Sequence, residues 1–233
     1  MESLKAQVIS TRHLISIRLT GEASMFQLHP CFTRFFWQPL LFSSRRDITC
    51  WALGLVVLIA GCAPLYQATM SRYTRTCINA EESGQFDVAI EACRRAWINT
   101  QVGRLGKEDE SITLYNLGRV LRLGGRLGDA ETALRDSLIL EEELSGPSSL
   151  MTGKRLGELS AVLGLLKRTA EGLRFLERFQ AIAPQFVGKD RQFAALLFYA
   201  YAESLQNSGD SDRATRLEQA ASDLGFKKSD FGE

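Results

Sequence analysis

The sequence predicts an all-α fold in which four helical hairpins follow one another along the chain. From Pro64 onward apolar residues recur at intervals of three and four, the spacing of one face of a helix. Proline, which breaks helices, occurs in this stretch only at Pro64, Pro147 and Pro184. A set of turn positions also recurs at nearly equal intervals, which indicates that one structural unit is repeated.

The turn positions place the hairpins in register. They fall at Gly84, Gly125, Lys167 and Gly209, at intervals of 41, 42 and 42 residues. Two columns of mostly small residues follow each turn, where paired helices approach closely. The first column is Ala89, Ala130, Gly172 and Ala214, and the second is Ala96, Ser137, Phe179 and Ala221.

The second unit carries the clearest motif, from Leu114-Tyr115-Asn116-Leu117-Gly118 through Gly125 and Ala130 to Ser137. It resembles the tetratricopeptide repeat, and the interval of about 42 residues is similar to the long repeats of kinesin light chains rather than the usual 34. The resemblance implies a right-handed superhelix of about four hairpins. The repeats are expected at about 70–103, 111–145, 153–187 and 195–228.

The third unit departs from this pattern, because Lys167 stands at the turn and the bulky Phe179 stands in a small-residue column. We therefore expect its two helices to splay. The apolar stripes predict a continuous core along all four units. Its members are Leu114, Leu117, Leu121, Leu127, Leu134, Leu156, Leu159, Leu163, Leu176, Phe198, Leu205 and Leu217.

An export signal is predicted ahead of the repeats. Arg45 and Arg46 precede an uncharged apolar run from Ile48 to Ala60, whose 13 residues suit a secretory signal and are short for a spanning helix. The run ends in Ile59-Ala60-Gly61-Cys62, which resembles the bacterial lipobox. This predicts a signal peptide at 45–61, a lipid on Cys62 and a mature repeat domain at 62–233. The alternative is an apolar run retained as a membrane anchor.

Residues 1–44 are longer and more mixed than a signal requires, so we expect a non-native extension or a disordered segment, with translation starting at Met25 or near Arg45. Ser44-Arg45-Arg46-Asp47-Ile48 also resembles a twin-arginine export motif, without the aromatic residue and leucine that usually follow.

Charge and residue usage exclude several function classes. The chain carries 28 basic and 27 acidic residues, so no electrostatic footprint for nucleic acid is present. Both histidines, His13 and His29, precede Cys62, which removes histidine-based catalysis and metal binding from the mature domain. We expect no catalysis, cofactor, metal site or small-molecule substrate. A cell-envelope hydrolase using carboxylates or Ser-Lys chemistry is the alternative.

The resemblance places a protein partner in the concave groove, which the first helix of each hairpin lines. The residues expected there are Tyr115, Asn116, Arg119, Arg122, Lys154, Tyr199 and Glu203. Tyr115, Arg119 and Arg122 share one side of a helix, and tyrosine and arginine are frequent at interface hot spots. We expect Arg119 and Arg122 to be exposed; the alternative is that they are ordinary solvated charges.

Two cysteines remain after Cys62. In the repeat register Cys77 and Cys93 face the same seam between paired helices, offset by about one helical turn, roughly 5 Å. They form either a disulfide, which an oxidising compartment permits, or a pair of small buried residues.

These features predict a lipid-anchored scaffold or adaptor that binds another cell-envelope protein. Ala63 follows Cys62, where an aspartate would resemble the inner-membrane retention signal of Gram-negative bacteria. We therefore expect the periplasmic side of the outer membrane. If the apolar run is retained, the protein is an inner-membrane-anchored cytoplasmic adaptor.

Overall fold

A computed structural model describes residues 62–231, which form eight α-helices. They are α1 (Cys62–Glu82), α2 (Phe86–Gly103), α3 (Lys107–Leu123), α4 (Leu127–Ser145), α5 (Leu150–Leu165), α6 (Thr169–Ile182), α7 (Gly188–Asn207) and α8 (Ser211–Asp223). Short 3-10 helices follow α6 at Ala183–Gln185 and close the described chain at Lys228–Phe231. Within these residues no helix is both long and apolar enough to cross a membrane.

The helices pack in consecutive antiparallel pairs: α1 with α2, α3 with α4, α5 with α6 and α7 with α8. The second helix of a hairpin also packs on the first helix of the next one, α2 on α3 and α4 on α5. Between α6 and α7 the contact is made mainly through the intervening 3-10 helix. One hairpin cannot bury its apolar face alone, so stacking produces one continuous core. The predicted all-α fold of four stacked hairpins is confirmed.

The hairpin turns occur at the predicted positions. Gly84, Gly125 and Gly209 have φ angles of 69°, 76° and 86°, in the left-handed region that glycine enters without steric penalty. Lys167 adopts the same conformation, with φ of 64°. The turn is therefore preserved in the third hairpin although its residue carries a side chain.

Small residues lie where paired helices approach most closely. All eight residues of the two predicted columns are buried. A Cβ atom on Gly118 of α3 would lie 2.5 Å from Leu134 Cγ of α4, so the Leu-Gly doublet allows contact that any larger residue would prevent.

The third hairpin does not splay, and the expectation that it would is wrong. Phe179 is only 1% exposed and packs against α5. Gly157 accommodates it, since a Cβ there would lie 2.9 Å from the Phe179 ring, and Gly153 accommodates Ile182 in the same way. The two glycines of α5 leave the space that Phe179 and Ile182 of α6 occupy.

The predicted core is nearly complete. Eleven of its twelve members are buried, and Leu127, at the first position of α4, is partly buried against the others. The helices begin earlier than the predicted repeats, most clearly α1, which starts at Cys62 rather than near residue 70. The extra length lies in the helices themselves, because this repeat is longer than the usual one.

Cys77 of α1 and Cys93 of α2 are joined in a disulfide, with their Cα atoms 5.2 Å apart. Both side chains are 1% exposed, at the seam of the first hairpin. The neighbouring buried residues of this hairpin are mostly small: Ala80, Ala89, Ala92 and Ala96.

Candidate partner-binding groove

The first helices of the four hairpins lie side by side, and ion pairs connect each to the next. Every pair joins side chains 36 or 38 residues apart in sequence. The pairs are Glu81–Arg119 at 2.6 Å, Arg122–Glu158 at 2.6 Å and Lys154–Asp190 at 2.7 Å. They bring α1, α3, α5 and α7 into one charged surface.

This surface encloses a recess of about 220 Å³. Four of the predicted groove residues line it together: Tyr115, Arg119, Arg122 and Lys154. Carboxylates and aromatic rings complete its wall, among them Glu81, Glu158, Asp190, Phe186 and Phe193, with Lys189 at the start of α7. Asn116 is half-buried on α3 but does not line the recess.

Arg122 is not the exposed side chain that the sequence predicts. Only 11% of its side chain is accessible, and its partner Glu158 is 7% accessible. Burial acts to lower the pKa of Arg122, but the Glu158 carboxylate outweighs it, so the pKa is raised. The guanidinium also lies 5.7 Å from the centre of the Phe193 ring. Arg122 therefore supports the recess wall as well as contributing charge.

Arg119 keeps more freedom, with 29% of its side chain accessible. Its Nη2 donates to Glu81, while its buried Nε has no hydrogen-bond acceptor. Burial raises the pKa of Glu81 and Arg119 opposes this rise. Lys189 is exposed and has no ion-pair partner among residues 62–231. The recess thus retains N–H donors that nothing in the described chain satisfies.

Tyr115 lies between two guanidinium groups. The carbon of the Arg119 guanidinium is 5.7 Å from its ring centre, and that of Arg155 is 5.0 Å away. Burial raises the pKa of the Tyr115 hydroxyl, so it stays protonated throughout the physiological range. Its ring is held as part of the recess wall rather than projecting freely.

Arg155 packs against the Tyr115 ring, and the sequence analysis does not predict this role for it. It is 2% exposed and is paired with Glu141 at 2.8 Å. Its Nε and Nη2 donate to the hydroxyls of Ser137 and Ser111, both at 2.8 Å. The pattern of α4 could have indicated such a residue, since Leu134, Leu138 and Glu141 share one buried stripe. A carboxylate buried in an apolar stripe requires a cation as its partner.

Two predicted groove residues on α7 lie outside the recess. Tyr199 is 9% exposed, and its hydroxyl donates to the Phe226 carbonyl at 2.9 Å. Its ring also packs against Phe231, with centres 6.0 Å apart. The segment after α8 folds back over Tyr199, which the sequence alone does not indicate. Glu203 is half-buried and does not line the recess.

Other predicted sites fall at or beyond the edge of the described chain. The segments at 1–44 and 45–61 lie outside it, as does the side chain of Cys62. Lipidation there stays a prediction. Within the part of the chain that the structure describes, no group of three His, Cys, Asp or Glu side chains is placed to hold a metal ion.

The sequence matches no protein-family model and no curated protein. Solved structures are similar in fold. BtubC (BKLC) from P. vanneervenii is 15% identical, with a TM-score of 0.61 over 69% of this chain and 64% of that one. This chain therefore spans about two thirds of the length of BtubC.

A Podosopora anserina kinesin light chain with nearly identical TPR-like repeats is 14% identical. Its TM-score is 0.53, over 78% of this chain and 90% of that one. A form of that protein with one residue substituted gives a TM-score of 0.54. Together with the four stacked hairpins, these similarities show that the chain has the TPR-like helical-repeat fold.

Proposed function

We propose that this protein is a non-catalytic scaffold, anchored by lipid on Cys62, that binds a segment of another cell-envelope protein in its concave groove. The observation that carries the proposal is the recess, where side chains from four hairpins converge. Repeat folds of this kind present extended concave surfaces for partners. The lipobox-like Ile59-Ala60-Gly61-Cys62 supports the anchor, and Ala63 favours the outer membrane.

The recess offers more donors than it satisfies internally. Lys189 lacks an ion-pair partner among the described residues, and the Arg119 Nε lacks an acceptor. Lys189 is open to a charged or polar group of a partner, whereas the Arg119 Nε has almost no accessible surface and meets an outside acceptor only if its guanidinium moves. A polar partner segment therefore fits this recess better than a wholly apolar one.

The hydrolase alternative is weaker. Ser111, Ser137, Arg155 and Glu141 bring hydroxyls and charges together, but both serines are 0% exposed. The two hydroxyls, the Arg155 guanidinium and the Glu141 carboxylate are all used in hydrogen bonds and an ion pair within the protein. A substrate could not reach these hydroxyls without opening the core.

The test is a charge reversal at Lys189 in the full chain. The protein is crosslinked in intact cells and its adducts are compared between the parent and Lys189→Glu. Lys228→Glu is the matched control, since Lys228 is equally a surface lysine but lies in the closing 3-10 helix, outside the recess. We expect the specific adduct to be lost in Lys189→Glu and retained in Lys228→Glu.

The fold should be unaffected, because Lys189 makes no ion pair that the reversal would break. An unchanged adduct in Lys189→Glu would show that the partner binds elsewhere. A separate fractionation tests the anchor: Cys62→Ser should leave the membrane fraction. If this variant stays there at its unprocessed mass, the apolar run is a retained anchor instead.

A further inference from the structure

The stacked hairpins give the repeat domain two different edges. At one edge the helices α1, α3, α5 and α7 begin and α2, α4, α6 and α8 end, because the two helices of each hairpin are antiparallel. We call it the inter-repeat edge, since it also holds the connections between hairpins. The turns at Gly84, Gly125, Lys167 and Gly209 lie at the opposite edge, the turn edge.

Half of the ten large apolar side chains that the described residues expose lie at the inter-repeat edge, and four isoleucines lie further along the helices. Five large ones lie within one helical turn of it or in its connections. They are Leu65 (67% exposed), Val102 (59%), Leu150 (41%), Met151 (51%) and Val187 (76%). Within one turn of the turn edge, the described chain exposes a single comparable side chain, Val88 at 49%.

These apolar side chains extend along the domain rather than forming a pocket. Leu65 and Val102 belong to the first hairpin, Leu150 and Met151 open the third, and Val187 immediately precedes α7. Protein partners bind through compact patches with a buried centre. A row of separate apolar side chains, with exposed charges of both signs between them such as Arg104 and Glu108, suits a broad interfacial surface.

The position of Cys62 indicates which surface this is. The helix α1 begins at Cys62 itself, so no linker separates the predicted lipid site from the first hairpin. Cys62 lies at the inter-repeat edge because it is the first residue of α1. A lipid on Cys62, or an anchor ending there, would hold the first-hairpin end of this edge close to the lipid headgroups.

We propose that the inter-repeat edge lies against the membrane surface, with Leu65, Val102, Met151 and Val187 inserted among the headgroups. The inference rests on the proposed membrane anchor. It gives the domain a fixed orientation, in which the turn edge points away from the bilayer and the concave groove opens sideways to a partner.

Three identical substitutions test this orientation. Val102→Cys and Val187→Cys place a thiol at the two ends of the inter-repeat edge, and Val88→Cys places one at the turn edge. The full-length proteins, purified without reductant so that Cys77–Cys93 stays bonded, are labelled with an environment-sensitive fluorophore. They are reconstituted into vesicles of phosphatidylethanolamine and phosphatidylglycerol, and the equally treated parent supplies the background.

We expect the emission of the probes at Val102 and Val187 to shift to shorter wavelength when vesicles are present. Their quenching by aqueous iodide should fall about threefold, as for residues in the headgroup region. A lipid with a shallow nitroxide should quench both. The Val88 probe should respond to iodide equally with and without vesicles.

Each other outcome contradicts a specific part of the proposal. If the parent floats with the vesicles but all three probes stay accessible to iodide, the anchor stands and the edge contact is wrong. Shielding at Val102 alone limits contact to the anchored end and overturns the proposed orientation. Shielding at Val102 and Val187 from iodide without quenching by the lipid nitroxide indicates a second protein copy as the occupant and overturns the edge contact. A parent that does not float overturns the anchor and the edge contact together.

Discussion

The Tyr201 hydroxyl crosses from α7 to the seam between α5 and α6, where it donates to the Ser160 carbonyl at 2.8 Å. It lies against Gly172, and a Cβ atom at that position would overlap the hydroxyl oxygen. Burial raises the pKa of Tyr201, so the hydroxyl remains a donor at all physiological pH values. One glycine in a small-residue column therefore allows a hydrogen bond between the third and fourth hairpins.

Gly172→Ala should accordingly destabilise the protein by about 1–3 kcal/mol, the usual cost of overpacking a filled core. The measurement is the free energy of unfolding from urea denaturation. Gly128→Ala is the control: nothing lies within 4 Å of a Cβ there, so this exposed helical position should gain stability, by up to about 1 kcal/mol.

The Tyr201→Phe substitution tests whether Gly172→Ala is destabilising because the new Cβ overlaps the Tyr201 hydroxyl, or because position 172 does not tolerate alanine for another reason. It removes the hydroxyl, so the cost of Gly172→Ala should be smaller in the Tyr201→Phe background than in the parent. Equal costs in the two backgrounds would contradict the explanation.

At the scale of the element, the first hairpin differs from the others in what holds it. It has no hairpin on its N-terminal side within the described chain, and its seam contains mainly alanine beside the disulfide. The third hairpin instead buries Leu156, Leu159, Leu176 and Phe179. Small side chains bury little apolar area, so the first hairpin depends more on its covalent link.

Replacing Cys77 and Cys93 with alanine should therefore loosen α1 and α2 selectively. A disulfide closing a loop of this size contributes about 3 kcal/mol. Hydrogen exchange measured by mass spectrometry should be faster in peptides from α1 and α2 and unchanged in those from α7 and α8.

The parent protein treated with dithiothreitol serves as the second measurement, and it should reproduce the exchange pattern of the alanine variant. Unchanged protection of α1 and α2 in both samples would mean that packing alone holds the first hairpin.

At the scale of the whole molecule, polar contacts between hairpins fix how the repeats stack. Most are partly exposed, such as Arg135–Glu171 and Arg178–Glu142, and each such pair contributes little in water. Arg155 and Glu141 are different, because both are removed from solvent and share the Ser111 and Ser137 hydroxyls. This cluster joins α3, α4 and α5, and hence the second hairpin to the third.

Arg155→Ala should lower the free energy of unfolding by about 3–5 kcal/mol, because it leaves the Glu141 carboxylate buried without its cation. Replacing both partners, as Arg155→Met with Glu141→Leu, should lose less than the single change. Urea denaturation measures both. The control Arg178→Ala breaks an exposed pair beside the cluster and should change stability by less than about 1 kcal/mol.

A double variant that is as unstable as Arg155→Ala would show that the cluster acts through shape rather than charge. The same denaturation curves report on coupling between repeats. We expect Arg155→Ala to broaden the transition, since the second and third hairpins would then unfold less cooperatively.

The hairpin register was predictable from the sequence because its causes are local. Apolar spacing defines each helix, Gly84, Gly125 and Gly209 indicate three turns by residue type, and the repeat interval places the remaining turn at Lys167. The same register places Tyr115, Arg119 and Arg122 on one side of α3 and Lys154 on α5, and these first helices of neighbouring hairpins line one recess together.

Only the tertiary structure decided which of these side chains remain accessible. Arg122 is buried by Glu158, 36 residues further on, and Tyr199 is covered by the segment after α8. Phe179 fits because Gly157 faces it from another helix. Such outcomes depend on contacts between distant residues, whereas a periodic pattern specifies only the face of a helix on which a residue lies. The sequence by itself therefore determined the order and pairing of the helices, and packing between hairpins determined the shape and charge of the groove.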